Sequence, residues 1–287
     1  MFNPMNIISS QEQIHSELQL AFDHIDSDVV ALHTDLSRIG FFDQIHSSRQ
    51  QKAAYLSRIN EVSQNRTLLF PTFNYDFFRT GVYTPLSDPC RVGALNEYTR
   101  QLYPDQRTLT PVFNFCICNN RSISFEPVDN PFSAASTFGE LARRGATVVF
   151  FGALLSSNTF IHHVEEVMNI GYRYIKPFPG VIRTALGDRS IVLNYRVRPL
   201  TEGAAVYDWE RLSSDLMNRN MLHGFPLGNG QLLFYRADRL LEYWCDCLHK
   251  DELYLLTFAS RKKAEELYKQ YGKPLRYELL EHPQLLE

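Results

Sequence analysis

Three short runs of β-branched and aromatic residues, separated by helix-forming stretches, constrain the fold most. DVVALHTDLSRIG contains a buried strand, Val29 to His33, that runs into a loop ended by Gly40. RTLLFPTFNY repeats the pattern with a strand stopped at Pro71, and ATVVFFGALL gives a third run ending near Gly152. Helical stretches are read at residues 49–63, 93–102 and 137–144. Strands alternating with helices build an α/β fold, a largely parallel central sheet covered by helices. Sites in such folds gather at the carboxyl ends of the strands. The loops after His33, after Phe70 and after Phe151 are therefore where chemistry is expected.

The remaining segments extend this frame. Residues 9–23 read as an amphipathic helix capped by Ser9 or Ser10, with Ile14, Leu18 and Leu20 among polar residues. VIRTALGDRSIVLNYRVRPL reads as an antiparallel hairpin added to the sheet, with its turn at Gly187-Asp188. GNGQLLFYRADRLLEYWCDCL follows as turn, strand and helix, and a further helix runs from Ser260 to Tyr271. With no internal repeat and no linker composition, one domain over 1–287 is expected. Residues 1–28 would pack on it as an N-terminal helix, and 257–287 would form a C-terminal helical extension.

Charge narrows the function classes. The 29 Lys and Arg against 32 Asp and Glu give a net charge of -3 with no basic run. That balance disfavours a nucleic-acid binder, which needs a basic footprint to release counterions. The opening MFNPMNIISSQEQ has no basic and apolar leader, and no apolar run approaches the roughly 20 residues of a membrane span, so a cytoplasmic protein without membrane insertion is expected. The five cysteines, Cys90 and the two C-x-C pairs Cys116/Cys118 and Cys245/Cys247, fall on strand-like and helix-like text. They read as reduced, buried structural thiols rather than zinc ligands.

No G-x-x-x-x-G-K-[ST], G-x-G-x-x-G or G-x-S-x-G occurs, so neither a nucleotide fold nor a serine hydrolase is indicated by motif. The chemistry-bearing stretch is SSNTFIHHVEE, Ser156 to Glu166, on a helix that Asn158 or Thr159 could cap. On that helix His162 lies over Glu165 and Glu166, and His163 over Glu166. Adjacent histidines diverge by about 100° around a helix, which disfavours a metal site built from both. A neutral imidazole held by a carboxylate one turn along has its tautomer fixed, as a general base near neutral pH requires. A solvated polar helix face is the plain alternative, and the position after VVFFGALL favours the base.

TFIHHVEE resembles the T-[FL]-x-H-x-x-E segment of the aminoglycoside 3-N-acetyltransferase family, and the other segments agree in order. ALHTDLSRIG is similar to H-[ST]-S-L-S-x-[IL]-G, LLFPTFNYDF to L-x-x-P-T-[FY]-x-[YF], and VGALNEYTR to V-G-x-L-x-E-x-[FY]-R. NPFSAASTFGEL matches P-F-G-x-x-S-x-x-x-x-L, and GNGQLLFYRADRLLEY resembles G-x-G-x-x-x-[LF]-x-x-A-x-x-L. The likeness spans about residues 30–256.

The resemblance implies acetyl transfer from acetyl-coenzyme A (acetyl-CoA) to an amine of an amino sugar, in an α/β fold distinct from GCN5-like acetyltransferases. It implies His162 as base and Glu165 as the carboxylate orienting it, with no metal expected. Thr34, Asp35, Leu36, Thr108, Leu109 and Thr110 fall on the cofactor side, and Thr72, Tyr75, Asp76 and Glu97 on the substrate side. Two departures stand out: Thr110 occupies the histidine position of the family's R-S-x-H-P segment, and Asp35 adds a negative charge to the cofactor-side loop. Arg173, Lys176, Arg196 and Arg198 lie among aromatic residues after the catalytic helix, where they form either an exposed hairpin face or a site for an anionic, nucleotide-linked amino sugar; with acids spread along the chain, the biosynthetic amino sugar of surface polysaccharides is favoured over an antibiotic. The partner is a small molecule, and a homo-oligomer is allowed. The competing readings are a resistance enzyme acting on aminoglycosides, a metal-dependent hydrolase using His162, His163 and Glu166, and a non-catalytic binding protein.

Overall fold

Every residue of Val29–Thr34, Thr67–Pro71 and Thr147–Phe151 is buried. Strands without polar alternation can only sit inside a sheet covered on both faces. The computed structural model describes residues 8–43, 45–119 and 123–282. The first seven residues of the expected N-terminal segment and the last five of the expected C-terminal extension lie outside the described residues.

In chain order the elements are β1 (Ile8–Ser9), α1 (Gln11–Phe22), β2 (Val29–Thr34), β3 (Phe41–Phe42), α2 (Ser48–Ser63) and β4 (Thr67–Pro71). There follow α3 (Phe77–Thr80), β5 (Val82–Tyr83), α4 (Ala94–Leu102), β6 (Phe115–Cys118), α5 (Thr137–Arg143), β7 (Thr147–Phe151) and α6 (Ile161–Val167). The last part holds β8 (Tyr174–Thr184), β9 (Gly187–Val197), α7 (Trp209–Asn218), β10 (His223–Leu227), β11 (Gly230–Arg236), α8 (Ala237–Lys250), α9 (Phe258–Tyr271) and α10 (Tyr277–Glu281).

The central sheet has the order β10-β11-β7-β2-β4-β6. β7, β2 and β4 are mutually parallel, whereas β11 and β6 flank them antiparallel and β10 turns back on β11. Four of the six strands thus point the same way, and their carboxyl ends face one side. Alternate residues divide between two cores, as strand geometry demands. Val29, Ala31, Val148 and Phe150 pack with Leu141 of α5, Val164 of α6 and Trp244 of α8. Val30, Leu32, Val149 and Phe151 pack with Leu18 of α1, Ile59 of α2 and Leu95 of α4. Each fully buried Val, Leu, Ile or Phe among them contributes about 1.5–3 kcal/mol of transfer free energy.

The hairpin forms, but not where the sequence places it. Thr184 pairs with Gly187, so the turn is Ala185-Leu186 and the Gly187-Asp188 dipeptide already belongs to β9. β8 takes β5 as its other neighbour, giving a separate three-stranded sheet. The central sheet ends instead at β10, whose Pro226 lacks the N–H a further partner strand would need. Cys116 and Cys118 are buried on β6 as expected, whereas Cys245 and Cys247 on α8 are only half-buried. Among the described residues no helix is long and apolar enough to cross a membrane.

Candidate active site

The path from β7 into α6 sets the site. Gly152 follows β7 at φ +71, and a Cβ there would lie 2.4 Å from the Asp35 carbonyl oxygen. The loop after β2 and the loop after β7 therefore touch because residue 152 is glycine. The chain then turns at Asn158, whose Oδ1 accepts the Phe160 N–H at 3.2 Å and the Tyr235 hydroxyl at 2.7 Å. The helix opens at Ile161 with Phe160 at the N-cap position, so Asn158 acts two residues before the cap and neither it nor Thr159 is the cap. Buried Ile161 and Val164 dock α6 on the core, and that orientation leaves His162 beside the cavity.

His162 Nδ1 lies 2.8 Å from Glu165 Oε2. A carboxylate only accepts, so Nδ1 carries the proton and Nε2 is the free nitrogen. Glu165 is fully buried, and its other oxygen accepts from Tyr172 at 2.8 Å, Tyr207 at 2.7 Å and Arg173 Nε at 3.1 Å. Burial alone would raise the Glu165 pKa, but the Arg173 charge and the His162 and Tyr207 hydrogen bonds prevail and hold it at about 2. Burial lowers the pKa of His162, against the opposing Glu165 hydrogen bond, and the Arg173 charge lowers it further. The result is a neutral imidazole, one-quarter exposed, backed by an ionised carboxylate.

The cavity of about 260 Å³ in front of His162 is lined by Tyr75, Tyr207 and Trp209, with Phe73, Thr159 and Asn158. A second cleft of about 420 Å³ contains Thr34, Asp35 and Leu36 together with Gly93, Ala94 and Asn96 at the start of α4. His33, Val92, Ser156 and Ser157 line both, so the two spaces lie side by side and share a wall. Gly93 at φ +75 lets the start of α4 approach the end of β2, since a Cβ there would press to 3.0 Å on the Thr34 carbonyl and hydroxyl oxygens.

Not every residue expected at the site is there. Thr108, Leu109 and Thr110 are not on either of these clefts. The Thr108 hydroxyl accepts the Phe115 N–H and its carbonyl accepts the Tyr83 hydroxyl, Leu109 N–H donates to the Phe125 carbonyl, and Thr110 lines a separate cavity. Tyr75 does face His162's cavity. Thr72 is buried on Asn114, Asp76 pairs with Arg91 at 2.8 Å, and Glu97 is held by Arg100, Gln101 and the Cys90 N–H. The basic residues after α6 do not converge either. Arg173 is spent on Glu165 and Tyr207, Arg196 on Glu166 and Asn169, and Lys176 on Glu281, while Arg198 is exposed beyond β9.

The metal donor set is also split. His163 donates Nδ1–H to the Phe132 carbonyl at 2.7 Å and Glu166 pairs with Arg196 at 3.1 Å, so neither joins His162. Among the described residues no group of three or more His, Cys, Asp or Glu could hold a metal ion. Sequence reasoning missed Tyr207, Trp209 and Gly93. Only the V-G-A start of α4 carried any local signal, a glycine just before a helix.

Histidine burial gives the fold a pH dependence. Burial against Phe150 lowers the His33 pKa from 6.5 to about 4. Between those values the unfolded chain binds the extra proton, so the stability held by the neutral ring is intact above about pH 6.5 and falls as pH drops towards 4, by about 3 kcal/mol in all. His162 and His163 shift the same way and add to the loss. Urea midpoints measured at pH 7 and pH 4.5 should therefore drop on the acid side, and less so in His33→Gln. An equal drop in both proteins would refute the assignment.

Residues 32–249 match the sequence model of the aminoglycoside 3-N-acetyltransferase family. No curated protein sequence matches the chain. Among solved structures the fold is similar to that of AAC-IIIb in a binary complex with CoASH, at 15% identity over 85% of this chain and 97% of that one, with a TM-score of 0.69. It is also similar to a mutant of the aminoglycoside acetyltransferase AAC(3)-IVa in complex with apramycin, at 14% identity over 87% and 96% of the two chains and a TM-score of 0.66. The YokD protein from Bacillus subtilis shares it at 16% identity over 85% and 94%, with a TM-score of 0.64. At these identities the likeness carries the fold alone. The sequence match, running from the strand that ends near His33 through α6 and on to α8, carries more: the chain belongs to the aminoglycoside 3-N-acetyltransferase family.

Proposed function

We propose that this protein transfers the acetyl group of acetyl-CoA to an amine of an amino sugar in the cytoplasm, with His162 as general base and Glu165 as the carboxylate that orients it. The observation that carries this reading is the adjacency of two clefts that share His33, Val92, Ser156 and Ser157, one holding His162 and the other the Thr34-Asp35-Leu36 loop. A two-substrate transfer needs two binding spaces that meet at the base.

The Thr34 cleft suits a phosphate-bearing thioester. α4 opens into it at Gly93 with no side-chain cap, leaving backbone N–H groups and the positive end of the helix dipole for an anion. Arg38 adds a cation at the rim. Asp35 is less adverse than its charge suggests, because its carboxylate accepts from the Ser37 N–H and hydroxyl and pairs with Arg38 at 3.3 Å. A structural neighbour binds CoASH. Of the cations expected to hold a nucleotide linker, Arg173, Arg196 and Lys176 are engaged elsewhere and Arg198 is exposed beyond β9, so the proposal keeps the amino sugar and does not require the nucleotide.

The chain's part in the transfer is proton traffic. With Nδ1–H held by Glu165, His162 Nε2 accepts the amine proton as nitrogen attacks the thioester carbonyl and the C–N bond forms. As the carbon–sulfur bond breaks, the imidazolium returns that proton to the departing thiolate, so the products are the amide and free thiol. Glu165 stays ionised throughout and stabilises the imidazolium between the two steps. Calorimetry with acetyl-CoA, followed by thiol release across a panel of amino sugars, tests the reading. Binding with thiol release is expected. A folded protein that binds acetyl-CoA but releases thiol with no amine would be a binding protein instead.

A further inference from the structure

The cavity in front of His162 is small, aromatic and uncharged. Its volume of about 260 Å³ lies just below the roughly 300–1,000 Å³ of pockets that enclose drug-sized ligands, which suits one sugar ring. Tyr75, Tyr207 and Trp209 line it, and Ser156, Ser157, Asn158 and Thr159 add neutral polar groups. None of the described lining residues carries a carboxylate. The acids adjacent to those aromatics in sequence are engaged: Asp76 pairs with Arg91, and Asp208 caps α7 and pairs with Arg211. Glu210 is exposed in the first turn of α7, where the helix N-terminus offsets its charge. Glu165 is fully buried beneath His162 and paired with Arg173.

From this lining we infer that the acceptor is a ring bearing a single amine and no other charge, held by aromatic faces rather than by ion pairs. The inference rests on the acetyltransferase reading and specifies its substrate class. An aromatic wall can greet one ammonium through cation–π attraction, worth about 0.5–2 kcal/mol, and can stack the C–H face of a sugar. Each further ammonium would lose hydration on entering and find no carboxylate to replace it. The acetylated amine itself must be neutral to attack, so the reaction needs no fixed negative charge in the cavity.

The test compares kcat/KM, by thiol release, for a monoamino hexose, its aryl glycoside and a tetra-amino aminoglycoside, at low and at high ionic strength, with His162→Ala as control. The monoamines should lead by about tenfold or more, and their KM should change little with salt, because no surface ion pair is being screened. Trp209→Ala should raise monoamine KM about tenfold with a smaller effect on kcat, as expected for lost ring contact. Ser157→Asp should improve the tetra-amine by supplying the missing carboxylate. A tetra-amine that is the best substrate of the unaltered protein, with KM rising steeply with salt and activity still dependent on His162, overturns the inference and leaves the acetyltransferase reading intact. Absence of thiol release with every acceptor overturns both.

Discussion

Replacing His162 with alanine should lower kcat for acetyl transfer by about 10²–10⁴-fold, the span a positioned general base contributes, and leave acetyl-CoA affinity within about twofold. The split follows from placement. His162 lines the cavity beyond Val92, Ser156 and Ser157, while the loop and helix terminus proposed to hold the thioester substrate lie on the other side of those residues. The pH profile gives a second readout, taken as the difference between the parent and His162→Ala so that ionisation of the acceptor amine cancels. Burial lowers the His162 pKa below 6.5, so the ring is already neutral at pH 7 and its contribution to log kcat/KM should be level there and fall only on the acid side. Single-turnover thiol release and calorimetry on the same variant separate the two terms. Near-normal turnover by His162→Ala would remove the base assignment.

How far this could be read from sequence differs between elements. β2, β4 and β7 were legible because strands buried on both faces are uninterrupted apolar runs, and α6 was legible because it follows the last of them. The His162–Glu165 pair was legible as a local i, i+3 contact. β10 was not: His223-Gly-Phe-Pro-Leu227 has poor strand propensity and is held by its pairing with β11. The basic residues after α6 were misassigned for a related reason. Sequence displays a charge but not its partner, and Arg173, Arg196 and Lys176 are neutralised by Glu165, Glu166 and Glu281 through tertiary contacts. Tyr207 enters the Glu165 cluster from 42 residues away, a contact that no local period announces.

That buried cluster yields the largest expected stability effect. Arg173→Met should destabilise the fold by about 3–5 kcal/mol, because it leaves the fully buried Glu165 carboxylate without its guanidinium. Glu165→Gln should cost a similar amount by stranding Arg173, and the two together should cost less than the sum, since neither charge is then left alone. The tyrosine hydroxyls of 172 and 207 remain as donors in every variant, so the shared deficit isolates the ion pair. The pH dependence has a fixed sign. The carboxylate's folded pKa of about 2 against 4.5 unfolded means that its contribution is complete above pH 4.5 and lost as pH falls towards 2. Without Arg173 the depression shrinks or reverses, and the gap between the parent protein and Arg173→Met should therefore narrow in acid. Urea denaturation of the four proteins at pH 7 and pH 4 measures both effects. Additive costs with a gap independent of pH would mean that Arg173 serves packing alone, and Glu165 would then have to be held ionised by its tyrosine and histidine donors.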